Sequence, residues 1–226
     1  MKRRKFFSAK DVAYFAILLA LVIVLQLFAS AIPMFGITLN FSLIPIVLAG
    51  IFFGMWGGGA LGLVSGLITF IVTAVMGREP ATAFLFQANP AVLTLVCIGK
   101  TTVAGFVAGL LYRLIAKKNR LAAAYVASAT VAVLNTGLYL VGMVAMKNDV
   151  AAFLGTEATA QVVFVTVFGL VWLNLVLELA VNILFAPAIH RVVLIAEKKF
   201  ANKYAKKTQP AEEPSDGRSE PKESQS

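Results

Sequence analysis

One cysteine, one histidine and 11 acidic residues are all that 226 positions offer of the groups that most often build catalytic or metal centres. Cys97 alone excludes a disulfide framework and any multi-cysteine metal site. His190 alone leaves neither a histidine metal cluster nor a Ser/His/Asp triad. Charge is scarce as well: 14% of the residues are Asp, Glu, Lys or Arg, against about 25% in an ordinary soluble domain. Such a chain cannot cover a globular surface with polar groups, so a single soluble domain is excluded. What the chain has in abundance is apolar residues, 59% of the total, with a mean hydropathy of +0.85. Its length admits about six spans of ~20 residues with short connections. The expectation is a polytopic membrane protein.

The formal net charge is +9, which raises the question of nucleic acid. Distribution answers it. Lys2, Arg3, Arg4, Lys5 and Lys10 crowd the start, Arg113, Lys117, Lys118 and Arg120 the middle break, and eight more follow His190. Only Arg78, Lys100 and Lys147 lie elsewhere. Basic residues at alternate ends of apolar runs are what the positive-inside rule produces, so the charge reports topology and no nucleic-acid partner is expected.

Proline and glycine divide the apolar sequence at Pro33, Gly36, Gly54, Gly57, Gly77 and Pro80, as breakers do. The predicted fold is all-α and integral to the membrane, a six-transmembrane-helix bundle over residues 1–200. Its spans are about 11–32, 40–54, 57–76, 88–115, 121–146 and 160–190. Residues 201–226 are expected to form a disordered cytoplasmic tail; from Pro210 on they contain no large apolar residue. An even number of spans puts both termini on one side. With the basic ends in the cytoplasm, the turn at Lys117–Arg120 falls there too, and connections 33–39, 77–87 and 147–159 face outward. The basic start, apolar run and Ala29-Ser30-Ala31 resemble a cleavable secretory signal. The apolar stretch of about 20 residues is too long for one, so an uncleaved first helix is expected.

Gly99-Lys100-Thr101-Thr102 has the ending of a phosphate-binding loop, but position 94 holds Thr94 where that pattern needs glycine, and no strand precedes it. Lys100 instead falls near the middle of the fourth span, where a charge costs at least ~2.5–3.5 kcal/mol unless paired or hydrated. Glu178, deep in the sixth span, is the natural partner. Two readings stay open: an ion pair that holds two helices, or a cation in a solvated cavity meeting an anionic ligand. Asn174, Glu178 and Asn182 recur at i, i+4 and i+8 and share one helix face. A polar stripe must turn toward protein or water, because hydrocarbon offers amides no partners. Asn135, Asn89, Asn40 and Gln87 are the further candidates for one outward ligand cavity, together with Lys100, Asn174 and Glu178. Interhelical amide bonding is the competing explanation for each singly. Gly58, Gly62 and Gly66, and likewise Gly105 and Gly109, form small-residue faces suited to close helix packing.

Ala16 and Ala20 lie one helical turn apart on the first helix. The second span begins Leu39-Asn40-Phe41-Ser42, carries Pro45 and leaves through Gly54, and Gly58-Gly59-Ala60-Leu61-Gly62 follows. With Lys100-Thr101-Thr102-Val103-Ala104-Gly105 through Tyr112, residues 8–195 resemble the substrate-binding S components of energy-coupling factor (ECF) transporters, the vitamin importers. The resemblance implies a non-enzymatic subunit with no cofactor, in a bacterial plasma membrane. It captures a vitamin outside, docks through the Ala16 and Ala20 face on a transmembrane coupling subunit carrying two ATPases, and topples to release its load. Lys100 favours an acidic vitamin such as pantothenate, with riboflavin and folate open. The alternative is a self-contained secondary transporter using Lys100 and Glu178 as an ion or proton relay. An integral-membrane enzyme is a third reading, for which the chain has little apparatus.

Overall fold

In the computed structural model the backbone is described for residues 9–31 and 40–208, and side chains for 11–28 and 40–195. The expected connection at 33–39 and the tail beyond 208 lie outside these residues. All described elements are helical: α1 (Ala9–Ala31), α2 (Leu43–Phe70), which runs on into a π-helical turn (Ile71–Val75), α3 (Pro80–Ala88), α4 (Pro90–Ile115), α5 (Arg120–Ala145), α6 (Lys147–Leu154) and α7 (Ala160–Thr208). Among them, five are long and apolar enough to cross a membrane, with Leu43–Val75 counted as one. The sequence reading has six, because it separates residues 40–54 from 57–76.

The reason for the difference is Gly54. Its φ of 75° and ψ of −172° belong to a region that essentially only glycine enters, and the chain folds back there. Ser42 Oγ and Ser65 Oγ are 2.7 Å apart, although 23 intervening steps of straight helix would separate them by about 34 Å. A Cβ on Gly58 would stand 3.0 Å from Gly50 Cα. Thus α2 is two antiparallel limbs joined at Gly54. The first limb, residues 43–53, is only about 16 Å long, roughly half of the hydrocarbon thickness.

Two short helices, α3 and α6, occupy connections that the sequence pattern leaves as loops. Each has fewer than ten residues, too few for an apolar period to register. Pro80 starts α3 at its first turn, where its missing N–H costs nothing. Asn89 ends α3 and caps α4, its Oδ1 accepting from Val92 N–H at 3.3 Å. At the other extreme α7 runs to Thr208, well beyond residue 190 and through residues 201–208, which the sequence reading assigns to a disordered tail; Ala and Lys, both good helix formers, are frequent there.

In lipid, helices gain little from burying apolar area against one another, so close backbone approach has to hold them. The second limb of α2 and α4 meet in this way. A Cβ on Gly58 would collide with Gly105 O, and one on Gly62 with Thr101 O. Buried alanines, Ala104 and Ala108 on α4 with Ala123, Ala124 and Ala127 on α5, extend the seam. α1 packs on α2, where Phe15 and Phe53 meet edge to face at 5.5 Å. Its other face exposes Ile17, Val24, Leu27 and Phe28, as a lipid-facing helix does. The chain divides after Val193 into two units, Met1–Val193 and Leu194–Ser226. Everything that follows concerns the first.

Candidate functional site

A cavity of about 380 Å3 lies within this first unit. Its lining comes from the C-terminal parts of α1, α2 and α5, from the N-terminal parts of α4 and α7, and from α3 and α6. All of these converge on one end of the helices, the end opposite the turn at Ala116–Asn119. α3 and α6 meet beside it, with the Phe84 and Phe153 rings 5.4 Å apart. The volume falls toward the small end of the 300–1,000 Å3 usual for ligand sites.

Glu178 organises the deep part. It is 3% exposed, and a carboxylate so placed needs donors. Oε1 accepts from the Asn40 backbone N–H and from Asn174 Nδ2, both at 3.1 Å. Oε2 accepts from Thr136 Oγ1 at 3.5 Å. Ser42 Oγ donates to Asn40 Oδ1 and faces Ser65 Oγ, so one network joins both limbs of α2 with α5 and α7. The donors are all neutral. Among the described residues Glu178 makes no ion pair within 4.0 Å, so of the two readings left open for Lys100 the direct pair is not formed.

Lys100 lines the same cavity, half-buried, with Nζ 4.8 Å from the centre of the Tyr139 ring. The ring's negative face stabilises the ammonium by about 0.5–2 kcal/mol, and no carboxylate of the described residues lies within 4.0 Å. Asn135 Oδ1 and Asn174 Oδ1 are buried without a partner. For Asn174 the cause is plain: its amide nitrogen is committed to Glu178, which leaves the oxygen over. The cavity thus combines a cation with no carboxylate of the described residues within 4.0 Å and two amide acceptors without donors.

Of the residues proposed from sequence, Asn40, Lys100, Asn135, Asn174 and Glu178 line this cavity, whereas Gln87 and Asn89 do not. Gln87 is exposed on α3, and the Asn89 side chain is spent as the α4 cap. Asn182, on the Asn174–Glu178 stripe, turns back on its own helix and donates to Glu178 O at 2.8 Å. Ala16 and Ala20 are exposed on α1. Sequence reasoning passed over Tyr139, Cys97, Glu79 and Phe153, which also line the cavity. Tyr139 follows Asn135 by four residues and Cys97 precedes Lys100 by three, so helical spacing could have found both. Glu79 and Phe153 sit at the two short helices, whose placement only the tertiary fold reveals. Among the described residues no three of His, Cys, Asp and Glu stand close enough to hold a metal ion.

A family model described as "ECF transporter, substrate-specific component" matches residues 10–193. No curated protein matches the chain, and no solved structure does.

Proposed function

Because the chain belongs to the substrate-specific components of ECF transporters, we propose that the cavity around Lys100 captures a water-soluble vitamin, with an acidic one such as pantothenate preferred to riboflavin or folate. Membership of the family makes it a membrane-embedded binding subunit of an importer. The observation that carries the substrate preference is the division of labour between two charges. Glu178 is satisfied by Asn40, Asn174 and Thr136, so the Lys100 ammonium is left to face the cavity. A ligand carboxylate there would meet a cation that no carboxylate of the described residues contacts within 4.0 Å. Asn135 and Asn174 then offer acceptors to the donors of the ligand.

The cavity end is the outer one in this reading. The Lys117–Lys118 turn and the basic termini lie in the cytoplasm of a bacterial cell, by the positive-inside rule. The two limbs of α2 supply the second and third of six passes, the first of them only partial in depth. Ala16 and Ala20, exposed on α1, form the face that docks on a transmembrane coupling subunit carrying two ATPases. Small residues suit a reversible contact in lipid, where backbone proximity takes the place of hydrophobic drive.

Co-isolation and uptake test this together. The tagged chain should bring down a coupling subunit and two ATPases and support uptake of labelled pantothenate. Ala16→Trp and Ala20→Trp should leave ligand binding close to wild type while reducing recovery of the partners. Wild-type assembly and uptake in both variants would remove the alanine face, and isolation without partners would remove the importer reading.

A further inference from the structure

Nothing in the sequence pattern gives Glu79 a chemical role, yet the fold seats it in the cavity wall. It directly precedes α3, and its side chain does not cap that helix. Its backbone N–H donates to Thr73 O at 3.4 Å, and Thr73 lines the same cavity. That bond fixes the residue over the wall. Among the described residues the Glu79 carboxylate makes no ion pair within 4.0 Å, and the exposed Arg78 beside it makes none either. Cys97, one helical turn before Lys100 on α4, also lines the cavity and lies within electrostatic reach of both Lys100 and Glu79. The charged lining is therefore one cation and two carboxylates, and only Glu178 is saturated by donors.

We propose that Glu79 is a specificity-determining residue: with Lys100 it makes the cavity bipolar, so that the site takes a molecule with one anionic group for Lys100 and an ammonium or hydroxyl donor for Glu79, and rejects molecules with two anionic groups. The inference rests on the reading of this cavity as the substrate site and narrows its ligand class. A second anionic group would meet a carboxylate in a medium less polar than water, where like charges repel strongly, and such repulsion is an effective way to exclude competitors. Pantothenate, with one carboxylate and two hydroxyls, meets the requirement. Folate, with two carboxylates, does not.

Cys97 is the single cysteine of the chain and serves as a reporter in the full-length protein in lipid nanodiscs. Its rates of modification are measured with the cationic methanethiosulfonate ethyltrimethylammonium reagent and with the anionic ethylsulfonate reagent. Glu79→Gln should raise the anionic-to-cationic rate ratio by about tenfold, and Lys100→Met should lower it by a similar factor, the lower end of electrostatic focusing in clefts. Ala81→Cys in a Cys97→Ser background repeats the comparison from α3, at a cavity-lining position that is only half-buried, so that a slow buried thiol does not decide the result. A ratio in Glu79→Gln equal to that of the parent at both reporters overturns the proposal. The importer reading fails separately: loss of the coupling partners with a shifted ratio removes transport and leaves the bipolar cavity standing, and retained partners with an unshifted ratio do the reverse.

Discussion

Glu178 gathers donors from α5, from α7 and from Asn40 just before α2, and Lys100 has only the face of Tyr139. Opposite outcomes follow for the two residues. Lys100→Met should fold with thermal stability near wild type and lose affinity by about 2–5 kcal/mol, the scale for removing one side of a buried charge contact. Glu178→Leu strands the Asn40 N–H, the Asn174 amide and the Thr136 hydroxyl, at about 1–3 kcal/mol for each donor left buried, and should lower the unfolding temperature markedly. The double variant should be no more stable than Glu178→Leu, since no ion pair within 4.0 Å exists to relieve. Thermal unfolding in detergent and titration calorimetry with pantothenate check all three. A double variant clearly more stable than Glu178→Leu would restore the direct pair. At this scale the sequence carried a good deal. A charge or amide inside an apolar span advertises itself, and the i, i+4 relation of Asn174 to Glu178 became a hydrogen bond. It misled where a polar residue had a local use, as with Asn89 at the start of α4.

The helices owe their positions to glycine in two distinct ways, one conformational and one spatial. Gly54 has open space around it but a backbone angle that other residues avoid; Gly62 has an ordinary helical conformation but no room for a Cβ beside Thr101 O. Gly99, on the same α4, has neither constraint. Gly62→Val should therefore abolish the folded, monodisperse state, because backbone stands in the way and cannot swing aside as a side chain would. Gly99→Ala should be neutral or stabilising by a few tenths to about 1 kcal/mol, through the helix propensity that glycine lacks. Size-exclusion profiles and thermal unfolding of both variants separate the cases, and a well-folded Gly62→Val would show that α2 and α4 are not locked here. The repeats of Gly58, Gly62 and Gly66 announce a close-packed face from sequence alone. The break that the sequence reading puts between residues 54 and 57 is where the chain doubles back, and the positive φ at Gly54 is what turns it.

At the scale of the first unit, the polar side chains of the cavity collect toward the ends of α2 and α5 and the beginnings of α4 and α7, and the basic turn lies at the opposite end of α4 and α5. Single cysteines introduced into a Cys97→Ser background at Glu79 and Asp149 should react with an impermeant reagent applied to intact cells, and one at Asn119 should not. The reverse pattern would turn the cavity toward the cytoplasm. The seam between α2 and α4 also bears on how such a protein changes its preferences. That seam is made of main-chain atoms and of side chains that are missing, at Gly58, Gly62 and Gly105, whereas the cavity is made of side chains that are present, at Lys100, Asn135 and Glu79. Replacing the second set leaves the first untouched, so redesign for a new cargo can proceed at the cavity one residue at a time, with the scaffold inherited unchanged.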